Sequence, residues 1–236
     1  NPEKINLSVG VYKDSAGKTP ILECVKQAER RLLEQQQTKS YLGMDGLADL
    51  GTHTRRLLFG EHEYCDSGRA VSLQTPGGTG ALRVAADFLK RNVPDARVWH
   101  SKPTWANHAG ILAAADRPTE TYAYLNEAGT GLDFAAMVAD LERIPAGEVV
   151  LLHACCHNPT GVDPTADQWS EIAEIVSSRK LLPLVDFAYQ GFGSGLTEDA
   201  QGLAELCRTG CDMLICSSFS KNFGLYSERV GALTIV

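Results

Sequence analysis

The sequence predicts an α/β protein built on a largely parallel sheet, and three observations carry that reading. Short apolar runs rich in β-branched residues recur along the chain, around Leu73, at 97–100, 149–155, 181–185 and 213–216. Stretches with apolar residues at helical spacing separate them, as in the series Trp169, Ile172, Ile175, Val176. No internal repeat, low-complexity tract or linker interrupts the alternation, so one α/β domain is expected over most of the chain.

Taken in order, residues 5–12 (INLSVGVY) read as an extended segment, with Gly10 where backbone can approach a neighbour closely and a turn at 13–17. Residues 20–36 place Ile21, Leu22, Val25, Ala28, Leu32 and Leu33 at helical spacing, and Pro20 suits a first helical turn. A glycine-punctuated loop at 41–46, a second surface helix at 47–59 and a polar loop at 61–69 follow. From Leu73 a short strand runs into the glycine-rich turn Pro76-Gly77-Gly78-Thr79-Gly80, with an apolar-faced helix at 81–89 behind it. Free N–H groups at a helix start attract phosphate, and glycine lets the anion reach the backbone. A simple tight turn explains the same glycines, and no Gly-Lys-Ser/Thr follows to make a Walker loop.

The strand at 97–100 leads to Trp105 and His108, which open a small-residue helix at 106–115. Residues 149–155 form the clearest buried strand. It delivers His157-Asn158-Pro159-Thr160-Gly161, where proline and glycine turn the chain and the Asn158 amide can donate to a phenolate oxygen. Thr165 reads as the N-cap of the amphipathic helix containing Trp169. The apolar run 181–185 ends in Asp186. An acid against a hydrophobic strand is costly unless paired, so a cationic partner is expected. Tyr189 follows, then Gly191, Gly193 and Gly195 as a flexible loop, and a helix at 200–208.

The apolar run 213–216 leads into SSFSKNFGLYSERVG, residues 217–231. This segment sets Ser218, Ser220, Lys221 and Arg229 at short spacings at a strand end, where α/β proteins hold ligands. A nucleophilic lysine must shed its proton near neutrality, and a nearby arginine with partial burial lowers its pKa. An ordinary basic surface loop is the competing reading of the segment taken alone.

Composition narrows the function classes. With 44% apolar and 22% charged residues among 236, the chain resembles an ordinary globular protein. Its 22 basic and 29 acidic side chains, net −7, argue against nucleic acid or an anionic membrane as the main partner. No apolar run approaches the roughly 18 residues of a membrane span. Seven cysteines without regular spacing fit a reducing compartment, and cytoplasm is expected. His153, Cys155, Cys156 and His157 suggest zinc, but alternate residues of a strand face opposite ways, so no metal site is expected. The lack of an initial Met points to a missing N-terminus.

The segment SSFSKNFGLYSERVG resembles the cofactor-lysine segment of the aspartate and aromatic amino-acid aminotransferases, fold-type I enzymes that use pyridoxal 5'-phosphate. Further motifs of that family recur in order from Ile5 to Val236. The resemblance implies a mostly parallel seven-stranded sheet flanked by helices, with residues 20–236 as an incomplete large cofactor domain and 1–19 as a segment of the small domain. It implies that Lys221 carries the cofactor covalently and shuttles the proton, that Asp186 pairs with the pyridinium nitrogen, and that His108 braces Asp186. Trp105 would stack on the ring, Asn158 and Tyr189 would meet the 3′ oxygen, and Gly78, Thr79, Ser218 and Arg229 would hold the phosphate. Tyr41 would reach the phosphate of the neighbouring subunit, making the protein a homodimer. Gly10 would belong to a segment that closes over the substrate, with Trp105 and Asn158 also on the substrate side.

Two residues depart from the family pattern, Ala106 for proline and Lys102 for asparagine or aspartate. Val11, Lys13, Thr19 and Thr79 match the dicarboxylate branch, whereas Ser40 replaces its asparagine. The implied activity is amino-group transfer between L-aspartate and 2-oxoglutarate by a ping-pong route. The alternatives are an aromatic amino-acid aminotransferase and a cofactor-binding fragment without turnover. The two substrate-carboxylate arginines of the family are expected after Val236.

Overall fold

The computed structural model describes residues 10–236. The extended segment expected at 5–12 lies outside the described residues as far as residue 9. Residues 10–12 form no strand, and the turn expected next is closed by the Gly17 N–H donating to the Asp14 carbonyl.

Seven strands form one sheet: β1 (Val71–Pro76), β2 (Val98–Lys102), β3 (Thr119–Ala123), β4 (Val149–His153), β5 (Leu182–Phe187), β6 (Leu214–Ser218) and β7 (Val230–Ile235). Their order is β1-β7-β6-β5-β4-β2-β3. Every pair from β6 through β5, β4 and β2 to β3 is parallel, and β7 runs antiparallel between β1 and β6. The helices are α1 (Glu23–Gln35), α2 (Ala48–Phe59), α3 (Gly77–Asn92), α4 (Asn107–Ala114), α5 (Phe134–Leu141), α6 (Ala166–Ser178) and α7 (Gln201–Arg208). Among the described residues no helix is long and apolar enough to cross a membrane.

The strand period of two divides the core into layers. On β4, Val150 and Leu152 join Val185, Phe187 and Ile215 under α5, α6 and α7. The alternate residues Val149 and Leu151 join Leu184, Leu214 and Cys216 under α3 and α4. All five β4 residues are therefore buried, the pattern of a parallel strand covered on both faces. Each large side chain so buried contributes about 1.5–3 kcal/mol. Asp186 shares the parity of Leu184, which carries it to the face covered by α3 and α4.

Two glycines are needed for close packing. A Cβ on Gly202 would lie 2.4 Å from Trp169, where α7 meets α6. A Cβ on Gly231 would lie 2.5 Å from the Gly77 carbonyl carbon, so β7 could not rest against the start of α3. Thr165 caps α6 as expected, and Gln168 completes a reciprocal capping box.

Several expectations need correction. The glycine-rich stretch is the first turn of α3, which begins at Gly77. The strand expected over 149–155 ends at His153. β5 continues through Asp186 to Phe187, and β6 through Ser218, since pairing with neighbouring strands extends regular structure past the apolar run. The polar loop at 61–69 contains a short 3-10 turn that buries Tyr64 and Cys65. The glycine loop 191–195, expected to be flexible, is tied down: Gly191, Gly193, Ser194 and Gly195 all donate backbone N–H bonds to the Asp199 carboxylate. Strands β3 and β7 and helix α5 answer to no element expected from the sequence, although β7 (VGALTI) is itself an apolar, β-branched run.

Candidate active site

The carboxyl ends of β4, β5 and β6 open into a cavity of about 470 Å³, the size of a small-molecule site. Its walls include Gly78, Thr79, Trp105, Asn158, Asp186, Tyr189, Ser218, Ser220, Lys221 and Arg229, with Gly10 and Tyr226 at the edge. Ten of the expected site residues thus come together from segments far apart in the chain. His108 and Tyr41 do not line the cavity. His108 lies directly behind Asp186, whereas Tyr41 is fully exposed.

Asp186 is 8% exposed, and its Oδ2 lies 2.9 Å from His108 Nε2. Burial alone would raise its pKa. The His108 hydrogen bond and charge, with His153 and Lys221, outweigh that and hold the carboxyl below the ordinary aspartate value. An ionised carboxylate only accepts, so His108 Nε2 carries the proton. The chain of contacts continues: Thr104 Oγ1 sits 2.8 Å from His108 Nδ1 and 3.1 Å from His153 Nε2. With His108 neutral, the Thr104 hydroxyl donates to Nδ1 and accepts from His153; with His108 protonated, the hydroxyl turns and donates to His153 instead. Burial lowers the His153 pKa to about 4, so that ring is neutral near pH 7.

Lys221 faces the same cavity from the loop after β6. Burial lowers its pKa; Asp186 opposes the shift and Arg229 adds to it. Its Nζ is 4.9 Å from the Tyr189 ring centroid. The Tyr189 phenol is raised, first by burial and then by Asp186. Arg229 occupies the left-handed region at φ 54°, a costly conformation for a non-glycine residue that is held by its surroundings. Its Nη1 donates to the Tyr226 carbonyl at 3.2 Å and to Ser220 Oγ at 3.4 Å. A Cβ on Gly77 would lie 2.7 Å from Arg229 Nη2, so a side chain there would displace the guanidinium.

The cavity lining is mixed in charge. Arg229 gathers with Ser220 and the start of α3, and with Ser218 these make a set that suits a phosphate. The same cavity offers a carboxylate, which suits a protonated ring nitrogen, an indole and an amine with a lowered pKa. The donor set fits a flat, phosphorylated, nitrogen-bearing aromatic aldehyde.

Thr104, His153 and Tyr226 were not identified from the sequence. His153 was noticed only within a zinc reading with Cys155, Cys156 and His157; its place beside Asp186 follows from the sheet register. Thr104 and Tyr226 carried no signal, because a hydroxyl three or four residues from a named side chain is common everywhere. The Tyr226 hydroxyl accepts from the Tyr12 N–H at 3.0 Å, tying the segment after Gly10 to the cavity edge.

Comparison with known proteins follows this geometry. The family model described as aminotransferase class I and II matches residues 2–236. The chain is 53% identical over 236 residues to an aspartate aminotransferase of Salmonella typhi, covering 100% of this chain and 60% of that protein. It is 51% identical over 234 residues to an aromatic-amino-acid aminotransferase of Pseudomonas aeruginosa, covering 99% and 58%. Among solved structures, an aromatic amino acid aminotransferase from Burkholderia cenocepacia superposes with a TM-score of 0.96 at 49% identity, covering 100% of this chain and 60% of that one. An aromatic-amino-acid aminotransferase from Burkholderia pseudomallei, covalently bound to pyridoxal phosphate, gives 0.96 at 42% identity, covering 100% and 59%. The chain spans about 60% of the length of the curated relatives it matches.

Proposed function

The chain belongs to the class I and II aminotransferases, and on that premise we propose that it is the cofactor-binding part of a pyridoxal 5'-phosphate-dependent enzyme that moves an amino group between L-aspartate and 2-oxoglutarate. The observation that carries this reading is the shared cavity: Lys221, Asp186 and Arg229 line one space, an amine between a carboxylate and a guanidinium. When bound, the cofactor supplies an electron sink for the substrate α-carbon.

The residues divide the work. Arg229, Ser218, Gly78 and Thr79 bind the phosphate, and Ser220 orients Arg229. Asp186, kept ionised by His108, holds the ring nitrogen protonated, while Trp105 covers one face and limits water. Asn158 and Tyr189 present donors to the 3′ oxygen. Lys221 would hold the cofactor covalently, and its free amine would serve as the general base for the substrate α-proton. Its lowered pKa enlarges the neutral fraction that this role requires. Gly10 bounds the substrate side.

The same reading assigns residues 20–236 to the large domain and 1–19 to the smaller one. It sets the protein in the cytoplasm as a homodimer, and the full exposure of Tyr41 supports a contact with a second subunit. Aromatic amino acids are the second reading, favoured by a recess of about 250 Å³ beside Lys221 that is lined by Tyr12, Pro20, Leu22 and Phe192. The kcat/KM ratio for aspartate against phenylalanine, measured on the full-length protein, separates the two. A chain that binds the cofactor yet transfers no amino group from either donor would refute both.

A further inference from the structure

The turn after β4 holds a group of ligand atoms that the proposed chemistry leaves unused. Cys155 Sγ, Cys156 Sγ and a carboxylate oxygen of Asp199 lie within 4.8 Å of one another. On a continuing strand, adjacent side chains would point to opposite faces. The strand ends at His153, however, and Cys156 takes φ 49°, so the chain folds back and the neighbouring thiols converge.

The rest of the surroundings removes the usual third and fourth ligands. One Asp199 oxygen accepts from Gly191 and Gly193, the other from Ser194 and Gly195, which spends the carboxylate on the loop. His153 Nε2 is held by Thr104 and His157 Nε2 by Ser101. Zinc takes four ligands and finds two here. A soft centre satisfied by two sulfurs finds what it needs.

We propose that Cys155 and Cys156 form a chelating dithiol site for soft thiophilic centres, with trivalent organoarsenic oxides as the chemical class that it binds. Two As–S bonds form and two S–H bonds break. The oxide oxygen leaves as water with both protons, and arsenic stays trivalent. The Cys155 thiol facing Cys156 holds the Cys156 sulfur below the ordinary thiol pKa, which provides the attacking thiolate. Because Cys155 lines the cavity, the occupant becomes part of the cavity wall.

The test uses the reduced full-length protein with phenylarsine oxide, read by intact mass and thiol titration, and neither readout depends on turnover. The expected result is a single adduct formed with loss of water and disappearance of two thiols, absent in Cys155→Ser and in Cys156→Ser and reversed by a small dithiol. Persistence of the adduct in both variants would place it on other cysteines of the chain and overturn the site; an adduct that consumes only one thiol, or no adduct at all, would overturn it as well. Should a serine variant fail to fold, peptide mapping of the wild-type adduct decides the matter: arsenic on a peptide lacking Cys155 and Cys156 refutes the proposal.

Discussion

Asp186 and Asp199 are both buried carboxylates, 8% and 7% exposed, and both are held below the ordinary aspartate pKa, yet they are stabilised in different ways. In each, burial pushes the pKa up and hydrogen bonds overcome it. Asp199 is satisfied by four backbone N–H groups of one loop, so its lone pairs are filled and its role is structural. Asp186 takes one side-chain hydrogen bond, from His108, on Oδ2. Its other oxygen accepts none among the described residues, and the residue lines the cavity. A buried acid with an unfilled acceptor is one arranged for a ligand.

The largest effect that tests this contrast lies across the cavity from Asp186. Lys221→Ala should abolish covalent cofactor retention in the full-length protein, and pyridoxal still fixed to the variant after borohydride reduction would move the nucleophile elsewhere. Next, Asp186→Asn, whose amide oxygen can still accept from His108, should lower turnover by about 10²–10³-fold, the usual cost of losing a preorganised charge, with little change in thermal midpoint. Asp199→Ala should do the reverse, destabilising by roughly 2–4 kcal/mol as its N–H groups lose their partner. If the two variants proved alike in both readouts, the contrast would collapse.

A third effect is pH dependence. His153 and His157 are depressed by burial to about 4 and about 3 from 6.5, so the unfolded chain binds more protons below pH 6.5. Their stabilisation is complete above pH 6.5 and lost as pH falls toward 4 and 3, by as much as about 3 kcal/mol for His153. Both aspartates, also depressed, add their loss only below about pH 3.9, as pH drops through their folded values. Urea midpoints measured from pH 7 to 3 should therefore begin to fall below about pH 6.5 and fall more steeply below about 3.9, and His153→Asn should make the first fall shallower, leaving the His157 share. The smallest effect is Thr104→Val, which leaves His153 Nε2 without its partner and should cost about 1–2 kcal/mol. An unchanged midpoint would show that the chain behind Asp186 does not support it.

Much of the candidate site was legible because the segment SSFSKNFGLYSERVG resembles a family motif that names its residues together. Taken alone, Lys221 with Ser218 and Arg229 read equally as a basic loop, and only Asp186 at the end of an apolar run called for a partner from its own chemistry. Strand and helix alternation gave the α/β class, since periodicity is a local property. Of the unread elements, β3 (TETYA) is mostly exposed on the edge of the sheet and has little apolar pattern, whereas β7 (VGALTI) has one but follows directly on the lysine loop. The loop at 191–195 was misjudged because glycine freedom is visible in sequence and the carboxylate that cancels it, Asp199, is not identifiable as its partner.

Residue order by itself thus determined the alternation of strands and helices and which segments are apolar on one face. The tertiary structure alone decided that Asp186 lies on the face covered by α3 and α4, within reach of His108, that Lys221 and Arg229 line one cavity with the start of α3, and that Cys155 and Cys156 turn toward each other. The reason is physical. Propensity and periodicity act over a few residues, whereas pairing register, strand parity and the filling of a carboxylate's lone pairs are settled only when distant segments pack.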